Sequence, residues 1–170
     1  MIHRSLPFLL LVGLLASSAS GARDVPAPAA HVDADGPYVV RDGETLQARW
    51  ICDDKVVSHE QTARRVAPVC GYPHPVDVAP AAVAPMDVLP AAPRIIVLSD
   101  IHGQYDLLVR LLRANGIIDA QDRWARGTDT LVVAGDVFDR GPKVTEAFWL
   151  LYGLQQQASA AGGAVHFVLG

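Results

Sequence analysis

Arg94-Ile-Ile-Val-Leu-Ser-Asp100-Ile-His102-Gly103 is the stretch whose reading decides the fold. An uninterrupted apolar run of this length reads as a buried strand. It stops at a carboxylate, with an imidazole two residues on and then a glycine that lets the chain turn into a helix. Further along, Asp129-Thr-Leu-Val-Val-Ala-Gly135-Asp136 repeats the arrangement. Val137-Phe138-Asp139-Arg140-Gly141 follows it, before a helix-like segment opens at Pro142.

Open α/β sheets bind ligands beyond the carboxyl ends of their strands. If the two strands lie side by side and parallel, Asp100, His102 and Asp136 meet above the sheet. That mixed oxygen and nitrogen set suits Zn, Fe or Mn. Two cations sharing Asp136 would make a binuclear site of the kind used on phosphate esters.

The connections support that layout. Residues 104–115 place Leu108, Leu111 and Leu112 at helical spacing beside Leu107, and Asn115-Gly116 is a stop. Asp106 falls in that helix's first turn, where a carboxylate complements the helix dipole. A second helix is expected over residues 143–158, with Val144, Ala147, Phe148, Leu151 and Leu154 on the side that packs on the sheet. Gly162-Gly163 then precedes a third strand, residues 164–169, in whose interior His166 reads as a packed or partly exposed strand residue and not a ligand. The order strand, helix, strand, helix, strand calls for a parallel sheet with right-handed crossovers.

Asp100-Ile-His102-Gly103 and Gly135-Asp136-Val-Phe-Asp139-Arg140-Gly141 resemble the first two signatures of the calcineurin-like metallophosphoesterases. The Asp-Arg-Gly tail is similar to the branch holding serine/threonine phosphoprotein phosphatases and symmetrical dinucleoside tetraphosphatases, although Ser99 stands where that branch usually has glycine. The resemblance covers residues 94–170. It implies the N-terminal half of a β-sandwich flanked by helices, two divalent metal ions (Mn, Fe or Zn), and a phosphorylated protein or small molecule as substrate. By similarity Asp100 and His102 hold the first metal and Asp136 bridges. Arg140 grips the phosphate through its planar fork, and Asp139 orients the catalytic histidine of a third motif. That third motif would begin at Gly170, so the 170 residues alone are expected to lack part of the ligand shell and to hydrolyse nothing measurable.

A dinucleotide-binding fold is disfavoured, because the first strand leads into Ser-Asp-Ile-His-Gly and not into Gly-x-Gly-x-x-Gly. A haloacid-dehalogenase-type phosphatase would want an acid at position 102. The remaining alternatives are a nucleotide or dinucleoside polyphosphate hydrolase of the same superfamily and a non-catalytic exported binding module.

Ahead of this half-domain the chain changes character. Arg4, an apolar stretch from Leu6 to Leu15 and the small residues of 16–22 read as a secretory signal peptide cut after Ala22. The expected protein is therefore exported, periplasmic or secreted, with no stable membrane anchor after cleavage. Removing residues 1–22 takes away one Arg and no acid, moving the formal net charge from −4 to −5. A field of that sign with no basic run argues against nucleic acid as a partner.

Residues 23–67 read as an extended Ala/Pro leader and a small β unit. Asp42-Gly43 and Asp53-Asp54 serve as its turns, and Leu46, Ala48 and Trp50 alternate with polar residues. Cys52 and Cys70, an even pair in an exported chain, invite a disulfide. Seven prolines over residues 68–93 suggest a semi-rigid, largely extended linker, with His74 an exposed passenger. A metal-ligand role is disfavoured for His31, His59 and His74.

Overall fold

The computed structural model describes residues 33–80 and 91–168. The expected signal peptide, most of the leader, His31 and the start of the third motif lie outside the described residues. No described helix is long and apolar enough to cross a membrane.

Two three-stranded sheets and one two-stranded pair form among the described residues. In the first, β1 (Ala34–Asp42), β2 (Thr45–Cys52) and β3 (Lys55–Gln61) form an antiparallel meander in the order β1-β2-β3. Its turns fall where left-handed backbone is needed: Gly43 has φ 57°, while Asp53 and Asp54 have φ 49° and 60°. Alternation along β2 buries Leu46, Ala48 and Trp50 on one face. Cys52 and Cys70 are joined, with Cα atoms 6.0 Å apart, tying the end of β2 to the following segment.

That segment differs from the expected linker. β4 (Arg65–Val66) pairs antiparallel with β5 (Val76–Asp77), which lies inside residues 68–93, and Tyr72 and Val76 are buried. Proline density limits regular structure, but it does not prevent side chains between the prolines from joining the core. His74 is likewise no bystander. Its Nε2 lies 3.4 Å from Asp122 Oδ2, and Asp122 is buried and held by Arg113 at 2.8 Å.

The second sheet follows the βαβαβ expectation. β6 (Ile95–Ser99), α1 (Tyr105–Ala114), β7 (Thr130–Ala134), α2 (Val144–Ala160) and β8 (Ala164–Val168) give a parallel sheet in the order β6-β7-β8. One face, with Leu131, Val133 and Val165, is buried. The other carries Ile95, Val97 and Val168, all more than half exposed, and His166, whose Nε2 has no partner among the described residues.

Both helices depart from the expected packing in register. α1 buries Tyr105, Leu108, Val109 and Leu112, an i, i+3, i+4, i+7 set that leaves Leu107 and Leu111 exposed. α2 buries Ala147, Leu151 and Leu154 as expected, but also Glu146, Trp149 and Leu150, while Phe148 is exposed. The reason is a second layer. α2 is sandwiched between the parallel sheet and β1, and Trp149 Nε1 donates to the Pro37 carbonyl at 2.7 Å. The meander, the β4–β5 pair and the parallel sheet thus share one compact unit.

Glu146 is the cost of that arrangement. It is 5% exposed, and its Oε2 has no hydrogen-bond partner among the described residues. Burial pushes its carboxyl above the ordinary range; Asp35 and Asp106 act in the same direction, opposed by a backbone hydrogen bond and by Lys143. A raised folded-state pKa means that the folded chain holds this proton more tightly than the unfolded one. The fold is therefore favoured below the ordinary value of 4.5 and loses that advantage as pH rises through it toward the folded-state value. Glu146→Gln should match wild type in melting temperature near pH 4 and exceed it by about 2–4 °C at pH 8, for a stabilisation of about 1 kcal/mol. An equal shift at both pH values would contradict this.

Candidate metal centre

The parallel pairing of β6 with β7 sets Ser99 beside Ala134, so both strands end at the same level and their tips are neighbours. The loops beyond are laced together by backbone. Ile101 and His102 N–H both donate to the Asp136 carbonyl, at 2.8 and 2.9 Å, and Gly103 N–H donates to the Val137 carbonyl at 2.9 Å. Lys143 N–H returns to the Gly103 carbonyl at 3.2 Å. Ligand-bearing side chains thus stand on a fixed frame.

Glycine makes the close approach possible. A Cβ at Gly141 would overlap the His102 carbonyl oxygen and lie 2.6 Å from the Gly103 carbonyl carbon. Gly135, at φ 117°, leaves room for the Asp100 carboxylate and the Ser99 hydroxyl.

On that frame His102, Asp136 and Asp139 each offer a ligand atom, all within 4.8 Å of one another. This set differs from the expected Asp100, His102 and Asp136 by one member. Asp100 stands at the adjacent tip, where its Oδ1 accepts from the Asp136 N–H at 3.1 Å. That bond, with a second from the Ser99 hydroxyl at 3.2 Å, holds the Asp100 carboxyl below its usual range, so it is a carboxylate at neutral pH.

Asp139 has a partner that the sequence did not suggest. Its Oδ1 is hydrogen-bonded to His102 Nδ1, and its Oδ2 lies 2.8 Å from Arg140 Nε. The His102 bond first, and Arg140 less, hold its carboxyl below the usual range. The expected role was to orient a histidine of the third motif. That histidine lies outside the described residues; within them the loop pairing above brings the first motif's own imidazole to Asp139, and nothing local in the sequence signals a bond across 37 residues.

Arg140 is 70% exposed, with Nη2 3.9 Å from Asp136 Oδ2. Its guanidinium stands beside the cluster and open to solvent. Asp106 lies in the first turn of α1, as the dipole argument required, and also receives Lys143 Nζ at 2.8 Å. His59 packs edge-on against Trp50 and is not in the cluster.

The donor chemistry fits a divalent cation. Carboxylate oxygens and imidazole nitrogen are the ligands that Zn, Fe and Mn share. In a neutral imidazole, a carboxylate accepting from Nδ1–H leaves the lone pair on Nε2, the atom free to bind a metal.

Residues 93–170 match the family described as calcineurin-like phosphoesterase. Among curated proteins, the chain is similar to Shewanella-like protein phosphatase 2 of Arabidopsis thaliana, 33% identical over 72 residues, which are 42% of this chain and 18% of that one. Among solved structures it is similar to a cold-active protein tyrosine phosphatase, with a TM-score of 0.75, 37% identity, and 82% of this chain aligned to 42% of that one. A structure of the cold-active protein-tyrosine phosphatase of a psychrophile Shewanella species gives 0.71, 35%, 81% and 43%. The chain thus spans under half the length of these relatives. The structural alignments cover more of it than residues 93–170 alone, so the likeness extends into the β unit.

Proposed function

We propose, from the premise that residues 93–170 belong to the calcineurin-like metallophosphoesterases, that the protein is a metal-dependent hydrolase of phosphoric esters with a binuclear site. The observation that carries this reading is the convergence of His102, Asp136 and Asp139 from two neighbouring strand tips. Asp136 and His102 would hold the cations, His102 through Nε2, and Asp100 would add an oxygen donor from the adjacent tip. Divalent cations held there would supply Lewis acidity toward the phosphoryl oxygens and would lower the pKa of an attacking water.

The chain's own groups do the rest. Asp139 positions the His102 ring through Nδ1. Arg140, exposed and already oriented by Asp139, pairs its fork with the phosphoryl oxygens and compensates charge that builds there. Since relatives are named protein tyrosine phosphatases, a phosphotyrosine-bearing peptide is the first substrate to try. The bond between Cys52 and Cys70 supports an oxidising, extracytosolic location, because such bonds persist there.

The test uses the intact natural chain, stripped with a chelator and assayed on 4-nitrophenyl phosphate. Hydrolysis should vanish without metal and return on adding manganese. Undiminished hydrolysis in the chelator would overturn the proposal.

A further inference from the structure

Two large aromatic side chains, one in the site loop and one packed against it, are part-exposed among the described residues: Phe138 is 43% exposed and Phe148 is 40% exposed. Phe138 belongs to the loop that also bears Asp136, Asp139 and Arg140. Its ring centroid lies 5.9 Å from that of Phe148, in the second turn of α2. Phe148 in turn stacks on Tyr152 at 6.0 Å and 20°. Beneath them Trp149 is buried and packs edge-on, 4.9 Å from Phe148 and 5.3 Å from Tyr152. Tyr152 is fixed as well, since its hydroxyl accepts from Ala79 N–H at 2.9 Å. Phe148 is therefore packed against fixed side chains, and both it and Phe138 keep a part-exposed surface.

Folding leaves unused the transfer free energy that burial of these rings would yield, so a ligand that covers them gains it. A third ring does so best, because aromatic pairs favour tilted or offset contacts at the spacing already seen here. We propose that the Phe138–Phe148 pair is the specificity surface of the site, receiving the phenyl ring of an aryl phosphomonoester while Arg140 holds its phosphoryl oxygens. This rests on the hydrolase reading above. In the reaction water's oxygen bonds to phosphorus, the bond from phosphorus to the phenolic oxygen breaks, and a proton from that water ends on the phenol. An alkyl ester such as phosphoserine undergoes the same exchange but has no ring for the pair to hold.

The experiment compares kcat/KM of the intact natural chain, with manganese, on two peptides identical except for phosphotyrosine or phosphoserine. Taking the ratio in wild type and in each variant cancels the intrinsic difference between the esters. Phe138→Leu, which keeps the apolar bulk, should lower the phosphotyrosine-to-phosphoserine ratio about tenfold, mostly through KM. Phe148→Leu should lower it less, and Phe138→Tyr should restore it. Circular dichroism and melting temperature establish that each variant is folded. A ratio within twofold of wild type in folded Phe138→Leu overturns the inference while hydrolysis of both peptides leaves the proposed function standing. Hydrolysis of neither peptide by wild type overturns both.

Discussion

Under the proposed function, Asp136→Asn in the intact natural chain is expected to reduce phosphoester hydrolysis by about 10³-fold or more while leaving the melting temperature within a few degrees of wild type. The substitution keeps the shape of the side chain and removes its charge. Asp136 belongs both to the set expected from the sequence and to the cluster the structure brings together. Its carboxylate lies in the cluster with His102 and Asp139, and its neighbouring backbone N–H and carbonyl organise Asp100, Ile101 and His102. Those backbone bonds survive in the variant, so stability should change little. Metal content by elemental analysis separates the causes, because loss of bound manganese must accompany loss of rate. A variant that keeps both would show that the cluster is not the reactive centre.

Gly141→Ala should be the most damaging single methyl in the described chain. Its Cβ would run into the His102 carbonyl and the Gly103 backbone, and Gly103 N–H and carbonyl are already committed to Val137 and Lys143. Backbone cannot rotate aside as a side chain can. The two loops must separate, which breaks the frame and swings His102 away from Asp139. A loss of about 3 kcal/mol or more is expected, read as a shift in the denaturation midpoint, with hydrolysis falling even where the protein remains folded. Gly116→Ala is the control: it too has a left-handed φ, 61°, but no atom lies within 4 Å of its added methyl. It should lose stability modestly and keep its rate. Equal effects from the two would contradict the steric account.

The parallel sheet was readable because each of its strands is a short apolar run closed by residues that cannot continue it. The meander was readable because Asp42-Gly43 and Asp53-Asp54 supply the left-handed backbone its turns require. Periodicity, however, describes one face of a helix at a time. α2 is buried on two, the second against a strand more than a hundred residues earlier, and so the exposure of Phe148 and the burial of Glu146 could not be foreseen. At the site the candidate donor types were legible from the strand ends. Which carboxylate would meet which imidazole was not, because the His102–Asp139 bond depends on how the two loops interlock. His74 was misjudged for the same reason, its partner Asp122 being brought in from beyond α1.

The central claim is that two strand tips deliver one set of donors to a cation. It is tested most directly by crystals of the intact natural chain grown with manganese, with data collected on the high-energy side of the manganese absorption edge. An anomalous peak within bonding distance of both His102 Nε2 and an Asp136 carboxylate oxygen is the predicted result. A clean map with no peak there, or manganese bound only at positions away from both side chains, would contradict it.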